Sequence, residues 1–130
     1  MNEKLSILLV EDNVLNQRIV TFSLKKYNHT VEIANNGLEA LEVFKTQKFD
    51  VILMDIMMPV MDGLEATLKI REYEDTNNIA DKTPIIAVTA NTMDNDREKC
   101  LSYGMNEFMA KPFDVEKLAH IFSELRINAV

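Results

Sequence analysis

Short apolar runs alternate with helical patterns five times along the chain. The first, third and fourth runs are continuously apolar, as strands are when helices cover both faces of a parallel sheet. The second alternates apolar and polar residues, as expected near a sheet edge. We predict strands at Ser6–Val10, Thr30–Ala34, Asp50–Met54, Pro84–Thr89 and Glu107–Ala110. Because a helical pattern follows each strand, the strands should be parallel and joined by right-handed crossovers, which makes the chain an α/β protein.

The segments between and after the strands carry apolar residues at helical spacing. The first three predicted helices are marked by Leu15, Ile19 and Phe22, by Leu38, Leu41 and Phe44, and by Leu64 and Leu68. The fourth, roughly Met93–Tyr103, is richer in charge and ends at Gly104, a suitable C-terminal cap. The fifth starts at Asp114, a good N-cap residue.

The whole-chain composition narrows the class of protein. A chain of 130 residues, 47% hydrophobic and 27% charged, fits one ordinary globular domain. The formal net charge of −7 argues against direct binding of nucleic acid, whose phosphate backbone favours basic surfaces. The single cysteine, Cys100, excludes an internal disulfide and fits a reducing compartment. With no signal-peptide pattern and no apolar stretch long enough to span a membrane, we expect a cytoplasmic protein.

Charged residues directly follow three of the apolar runs. Glu11 and Asp12 follow the first, Asp55 follows the third, and Lys111 follows the fifth. In parallel sheets the functional groups gather beyond the carboxyl ends of the strands. Three carboxylates there repel one another unless a cation lies among them, and Mg²⁺ suits such an all-oxygen site. The residues therefore predict a Mg²⁺ site next to a phosphoryl group, with Asp55 as the nucleophile and Lys111 as the positive charge that complements the phosphoryl oxygens.

Two other residues near this edge allow more than one interpretation. Thr89 ends the fourth apolar run, and its hydroxyl is able to meet a phosphoryl oxygen. From the residue alone, however, a β-branched strand residue that caps the next helix is the favoured interpretation. The Lys111–Pro112 bond permits a cis peptide, although the sequence alone favours trans.

These motifs, in this order, resemble the receiver domain of two-component response regulators from Ile7 to about Leu125. The motifs are the acid pair after strand one, Asp55 with Met-Met-Pro-Val-Met-Asp-Gly after strand three, Thr89-Ala90 after strand four, and Lys111-Pro112-Phe113 after strand five. The subgroup most similar is the receivers of hybrid sensor histidine kinases. That similarity rests on Val10-Glu11-Asp12-Asn13 with Asn16-Gln17, on Thr89-Ala90-Asn91, on Asp96-Arg97-Glu98-Lys99-Cys100 and on Gly104-Met105.

The resemblance implies a fold and a set of residue roles. The fold is a flavodoxin-like doubly wound five-stranded parallel sheet in the order 2-1-3-4-5 with five helices, as one receiver domain over residues 1–130. Asp55 would accept a phosphoryl group from a partner's phosphohistidine, and Glu11, Asp12, Asp55 and the Met57 carbonyl would hold Mg²⁺. Lys111 would bind the phosphoryl oxygens, with a cis bond to Pro112. Thr89 would turn toward the phosphoryl group, Phe108 would follow it inward, and the face formed by the fourth helix, fifth strand and fifth helix would change.

The same resemblance carries expectations about partners. The phosphodonor would be a histidine kinase or a histidine phosphotransfer domain, with no direct nucleic-acid or membrane contact and a monomeric or weakly dimeric state. The domain would catalyse its own aspartyl phosphorylation and dephosphorylation without being an enzyme for a separate substrate. We favour a receiver that is part of a hybrid kinase, in which case the full-length chain would be a kinase, over a stand-alone receiver.

Two other functions compete with this one. A Mg²⁺-dependent aspartyl phosphatase usually carries a second acid two residues after the nucleophile, and that position is Met57 here. A pseudo-receiver, which would serve only as a protein-interaction module, requires loss of the acid pair, of Asp55 or of Lys111. All of these residues are present.

Overall fold

The computed structural model describes residues 4–90 and 96–125. The strands are β1 Ser6–Val10, β2 Thr30–Ala34, β3 Val51–Met54, β4 Ile85–Thr89 and β5 Glu107–Ala110. The helices are α1 Val14–Lys25, α2 Gly37–Thr46, α3 Gly63–Thr76, α4 Asp96–Ser102 and α5 Val115–Leu125. The strands are parallel and lie in the order β2-β1-β3-β4-β5. The predicted flavodoxin-like α/β fold is therefore confirmed.

The strand predictions differ from the structure by one residue at two places. β3 begins at Val51 and not at Asp50, whose carboxylate accepts a hydrogen bond from the Ser6 backbone N–H at 2.7 Å. β4 begins at Ile85 and not at Pro84, which has no N–H to donate to a neighbouring strand. The predicted fourth helix began at Met93; residues 93–95 lie outside the described residues, and α4 is described from Asp96.

The continuous apolar runs are explained by two cores on opposite faces of the sheet. Toward α2, α3 and α4 the three central strands present Leu8, Val10, Ile52, Met54, Ile85 and Ala87. Toward α1 and α5 they present Ile7, Leu9, Val51, Leu53, Ile86 and Val88. Because successive side chains of a strand point to opposite faces and helices cover both faces, β1, β3 and β4 are apolar apart from Ser6 and Thr89 at strand ends. No helix within residues 4–90 and 96–125 is long and apolar enough to cross a membrane.

The apolar stripe that marked α1 lies on its exposed surface. Leu15, Ile19 and Phe22 are 66%, 48% and 68% exposed. The buried residues of this helix are Gln17, Val20 and Leu24. The position of the helix was thus predicted correctly, whereas the stripe used to recognise it faces outward.

An ion pair on α3, in which Glu74 is buried and Arg71 is partly buried, lies against the beginnings of β4 and β5. The Glu74 side chain is fully buried, and one of its oxygens lies 2.7 Å from Arg71 Nη1. The same arginine donates to the Gly104 carbonyl and to Asn106 Oδ1, each at 2.9 Å. Asn106 Oδ1 also accepts the Ile85 backbone N–H at 2.9 Å. Gly104, predicted as the C-terminal cap of the fourth helix, has φ +107°, a conformation that glycine adopts without strain.

Candidate functional site

Glu11, Asp12 and Asp55 meet at the carboxyl edge of the sheet. β1 pairs with β3 so that Val10 lies beside Met54, which places the residues that follow these strands side by side. Each of the three acids offers a carboxylate oxygen, and these oxygens all lie within 4.8 Å of one another. Glu11 and Asp55 are buried and Asp12 is exposed. The structure therefore brings together the three carboxylates that the sequence predicted as metal ligands.

Lys111 reaches this cluster from the end of β5. Its Nζ lies 3.0 Å from Glu11 Oε1 and 3.1 Å from Asp55 Oδ2, so one ammonium group bridges two carboxylates. The Lys111 backbone N–H donates to the Thr89 carbonyl at 2.9 Å, which fixes the lysine beside the end of β4. The Lys111–Pro112 bond is cis, so the expectation of trans from the sequence alone was wrong and the one drawn from the resemblance was right.

The cluster perturbs the protonation of both members of the Asp55–Lys111 pair. Burial raises the pKa of Asp55 above its usual range; the hydrogen bond and charge of Lys111 oppose this, and the Glu11 charge adds to it. Burial lowers the pKa of Lys111, but its hydrogen bonds to Glu11 and Asp55 outweigh burial, so that its pKa is raised overall. Asp55 is thus a carboxylate whose ionised form is poorly solvated, which is the condition under which a bound cation stabilises most.

The raised Asp55 pKa predicts a pH dependence of the metal-free protein. A folded pKa above the unfolded value stabilises the protein below the unfolded pKa, near pH 4, and this stability is lost as pH rises through the folded pKa. We expect Asp55→Asn to melt increasingly higher than wild type in chelator as pH rises across that window. Mg²⁺ at about ten times its dissociation constant should add about 1.4 kcal/mol to wild type.

Thermal melts in chelator and in Mg²⁺ check this expectation, with Asp81→Asn as an exposed control remote in sequence from the cluster. A difference between Asp55→Asn and wild type that stays constant with pH would contradict the assigned role of Asp55 in stability.

The loop after β3 folds back over Asp55. The Met57 backbone N–H donates to Asp55 Oδ1 at 3.2 Å, while the Met57 side chain is exposed. α3 then begins against the same strand end, because a Cβ at Gly63 would lie 2.4 Å from the Asp55 carbonyl oxygen. Only glycine allows this approach, which explains why Gly63 follows the loop. The main chain of Met57, the fourth predicted metal ligand, is therefore adjacent to Asp55.

Thr89 and Phe108 occupy the two strands next to the cluster. Thr89 is buried at the end of β4, in register with Ala110 of β5. Phe108 lies two residues before Ala110, is partly buried, and packs against the core under α2, α3 and α4. The predicted phosphate-sensing residues Thr89 and Lys111 are thus on neighbouring strand ends.

The sequence interpretation gave no role to Gln17 or Asn13, which support the acid pair. The Gln17 side-chain amide donates to the Glu11 carbonyl and to Asn35 Oδ1. The Asn13 backbone N–H donates to Glu11 Oε2 at 3.1 Å, and its side chain caps α1. A polar residue at a buried helical position is the signal that would have identified Gln17, but it becomes visible only once the buried face of α1 is known.

Comparisons with known proteins agree with this geometry. Residues 7–123 match the family described as the response regulator receiver domain. Hybrid signal transduction histidine kinase K of Dictyostelium discoideum is 43% identical over 115 residues, which cover 86% of this chain and 10% of that much longer protein.

Two solved structures are similar over nearly the whole chain. The first is the receiver domain of a Saccharomyces cerevisiae response regulator, co-crystallised with the histidine phosphotransfer protein upstream of it (TM-score 0.88, 33% identity, 95% of this chain and 90% of that one). The second is the receiver domain of a Pseudomonas aeruginosa sensor histidine kinase with a magnesium ion coordinated in the active site cleft (TM-score 0.81, 40% identity, 93% and 96%). The chain belongs to the response regulator receiver domains, the family of two-component and phosphorelay signalling.

Proposed function

We propose that this domain accepts a phosphoryl group on Asp55 from the phosphohistidine of a histidine kinase or a histidine phosphotransfer domain. The observation that carries the proposal is the convergence of Glu11, Asp12 and Asp55 within 4.8 Å, with Lys111 Nζ 3.1 Å from Asp55. This arrangement supplies a nucleophile, a site for a divalent cation and a positive charge at one strand edge.

The donor set fits Mg²⁺. It consists of oxygen atoms only, it is small enough to leave room for waters and a phosphoryl oxygen, and one of its acids is exposed to solvent. Glu11, Asp12, Asp55 and the Met57 carbonyl would hold the ion. When bound, Mg²⁺ neutralises negative charge on the transferred phosphoryl group.

The chain's own residues account for the transfer step. An Asp55 carboxylate oxygen forms a bond to phosphorus while the bond from phosphorus to the donor's imidazole nitrogen breaks, and the nitrogen keeps that electron pair. Lys111 exchanges its contact with Asp55 for contact with the phosphoryl oxygens, since its ammonium already lies 3.1 Å from the nucleophile. Met57 stands where a phosphatase would carry its general acid, and its exposed thioether has no proton to give. This set of residues favours phosphoryl transfer to Asp55 over turnover by a dedicated phosphatase.

A mass measurement tests the proposal directly. After incubation with Mg²⁺ and a small acyl phosphate, the intact protein is expected to gain the mass of one phosphoryl group, and to gain nothing when a chelator replaces Mg²⁺. Continuous consumption of the donor without a mass gain would instead support a phosphatase. Absence of both mass gain and consumption would support a pseudo-receiver.

The exposed apolar face of α1 supports the partner part of the proposal. Leu15, Ile19 and Phe22 are exposed on this helix, and Ile19 also borders a cavity of about 400 Å³ between α1 and the β5–α5 connection. Ile19 and Phe113 line this cavity, which is largely apolar, and Asp55 and Lys111 line it too. A donor protein seated on this face would hold its phosphohistidine close to Asp55. We therefore place donor docking on the α1 face.

A substitution on this face separates docking from chemistry. Phe22→Ser is expected to slow phosphoryl transfer from a phosphorylated histidine phosphotransfer domain about tenfold, because an exposed aromatic at an interface centre contributes more than 1 kcal/mol. Labelling by the small acyl phosphate should be unchanged, since Phe22 does not touch the acid cluster. Tyr27→Ser, at an exposed aromatic just beyond α1, is the matched control. Equal slowing with both donors would contradict docking at Phe22.

The face formed by α4, β5 and α5 is our candidate for signal output. Thr89 ends β4 and Lys111 directly follows β5, and a phosphoryl group on Asp55 would draw both side chains toward it. A change of state requires contacts that differ between the two states, and a Thr89 hydroxyl bond to the phosphoryl group exists only in one of them. Phe108 lies on β5, three residues before Lys111, and therefore belongs to the face formed by α4, β5 and α5.

We place the domain in the cytoplasm as a monomer or weak dimer without direct nucleic-acid contact. The support is its single buried cysteine, Cys100, and its net charge of −7. Sedimentation equilibrium with and without acyl phosphate measures the state of assembly, and a tight dimer in both conditions would contradict the proposal.

A further inference from the structure

Gln17 connects the acid pair to the β2–α2 connection. It lies in the second turn of α1 and is 8% exposed. Its side-chain amide carries two N–H groups, and the structure gives each one an acceptor: the Glu11 carbonyl and Asn35 Oδ1, the latter at 2.8 Å. Asn35 in turn donates its backbone and side-chain N–H groups to Glu39 Oε1 at 2.9 and 3.1 Å. A continuous chain of hydrogen bonds therefore runs from Glu11 to α2.

Glu11 is held by hydrogen bonds at every polar group. Its backbone N–H donates to the Ala34 carbonyl at 3.0 Å, and its carbonyl accepts from Gln17. One carboxylate oxygen lies 3.0 Å from Lys111 Nζ and the other accepts the Asn13 N–H at 3.1 Å. The bond from Gln17 is the member of this set that fixes the peptide joining Glu11 to Asp12. The direction of both carboxylates depends on the orientation of that peptide.

We propose that Gln17 is a positioning residue for the metal and phosphoryl site, acting through the Glu11 carbonyl. This inference rests on the proposed function, because it assumes that Glu11 and Asp12 hold Mg²⁺. Without the amide donor, the buried Glu11 carbonyl loses its partner and the Glu11–Asp12 peptide rotates to find another. Groups that orient metal ligands in this way typically change metal affinity or activity by about 10- to 100-fold when removed.

The test uses Gln17→Met, which keeps the length and shape of the side chain but has no N–H group. Its Mg²⁺ dissociation constant, measured by titration calorimetry, is expected to rise about tenfold. Asn35→Ala removes the acceptor of the second N–H and should weaken Mg²⁺ binding by less, because the bond to Glu11 remains. The double variant should bind Mg²⁺ no more weakly than Gln17→Met, since both residues act through one link. Gln47→Met, at an exposed position just after α2, is the control.

Melting temperatures in chelator separate positioning from a purely structural role. If Gln17→Met melts lower but binds Mg²⁺ within roughly twofold of wild type, well below the effect of an orienting residue, the inference is wrong. Should Gln17→Met fail to fold, unchanged Mg²⁺ affinity in Asn35→Ala overturns it. Wild-type protein that binds no Mg²⁺ would overturn the proposed function along with this inference. Wild-type binding with unaffected variants would overturn this inference alone.

Discussion

Replacing Asp55 by asparagine is expected to abolish phosphoryl transfer from a phosphohistidine donor. Asparagine keeps the shape of the side chain and the hydrogen bond from Met57, but its amide is not a nucleophile toward phosphorus. The measurement is transfer of labelled phosphate from a phosphorylated histidine phosphotransfer domain, followed on a gel over time. No labelled receiver should form within the period in which wild type is fully labelled.

Asp62→Asn is the matched control for this loss. Asp62 caps α3 by accepting the Glu65 N–H at 2.9 Å, and asparagine caps helices about as well as aspartate. This variant should be labelled at the wild-type rate. Labelling of Asp55→Asn at a normal rate would mean that the nucleophile lies elsewhere.

Removing the Thr89 hydroxyl is expected to prevent phosphorylation of Asp55 from changing the conformation of the face formed by α4, β5 and α5. Thr89→Ala leaves Asp55, the acid pair and Lys111 in place, so labelling should continue. The conformational response should be largely lost, because the contact that distinguishes the two states is missing. Backbone amide chemical shifts of Phe108 and Met109, recorded before and after acyl phosphate with Mg²⁺, measure that response.

Thr89→Ser separates loss of the hydroxyl from loss of side-chain volume. It keeps the hydroxyl and removes only the methyl group, so most of the shift change at Phe108 should return. If Thr89→Ala shows the full wild-type shift changes, Thr89 is not part of the switch.

Much of the fold is predictable because burial on both faces forces a distinctive pattern. β1, β3 and β4 read as continuous apolar runs, and the charged residues after β1, β3 and β5 stand out against those runs. Parallel strands bring such residues together whatever the details of the loops, so the convergence of Glu11, Asp55 and Lys111 followed from topology.

The face of α1 was not predictable in the same way. A hydrophobic stripe at helical spacing marks a helix, but spacing alone does not distinguish a stripe that packs on the sheet from one that faces solvent. In α1 the inner face carries Gln17 while Phe22 lies outside. Gln17 is tolerated inside because both of its N–H groups are bonded, one to the nearby Glu11 carbonyl and the other to Asn35, 18 residues away in sequence. A partner as distant as Asn35 leaves no local pattern.

The bonds made by Arg71 hold β5 at its start and leave its end free to move. Gly104 and Asn106, just before the strand, are hydrogen-bonded to Arg71 of α3, whereas Lys111 follows the other end of the strand. Hydrogen bonds from a charged donor such as Arg71 contribute about 1.5–3 kcal/mol each, so the start of β5 has little freedom to move. β5 has 4 residues and is therefore about 13 Å long. A displacement caused by a phosphoryl group is therefore expected to be greatest near Lys111 and to decrease toward Asn106. The backbone amide chemical shift of Asn106 should stay constant on phosphorylation, while the amide shifts of residues farther along β5 change.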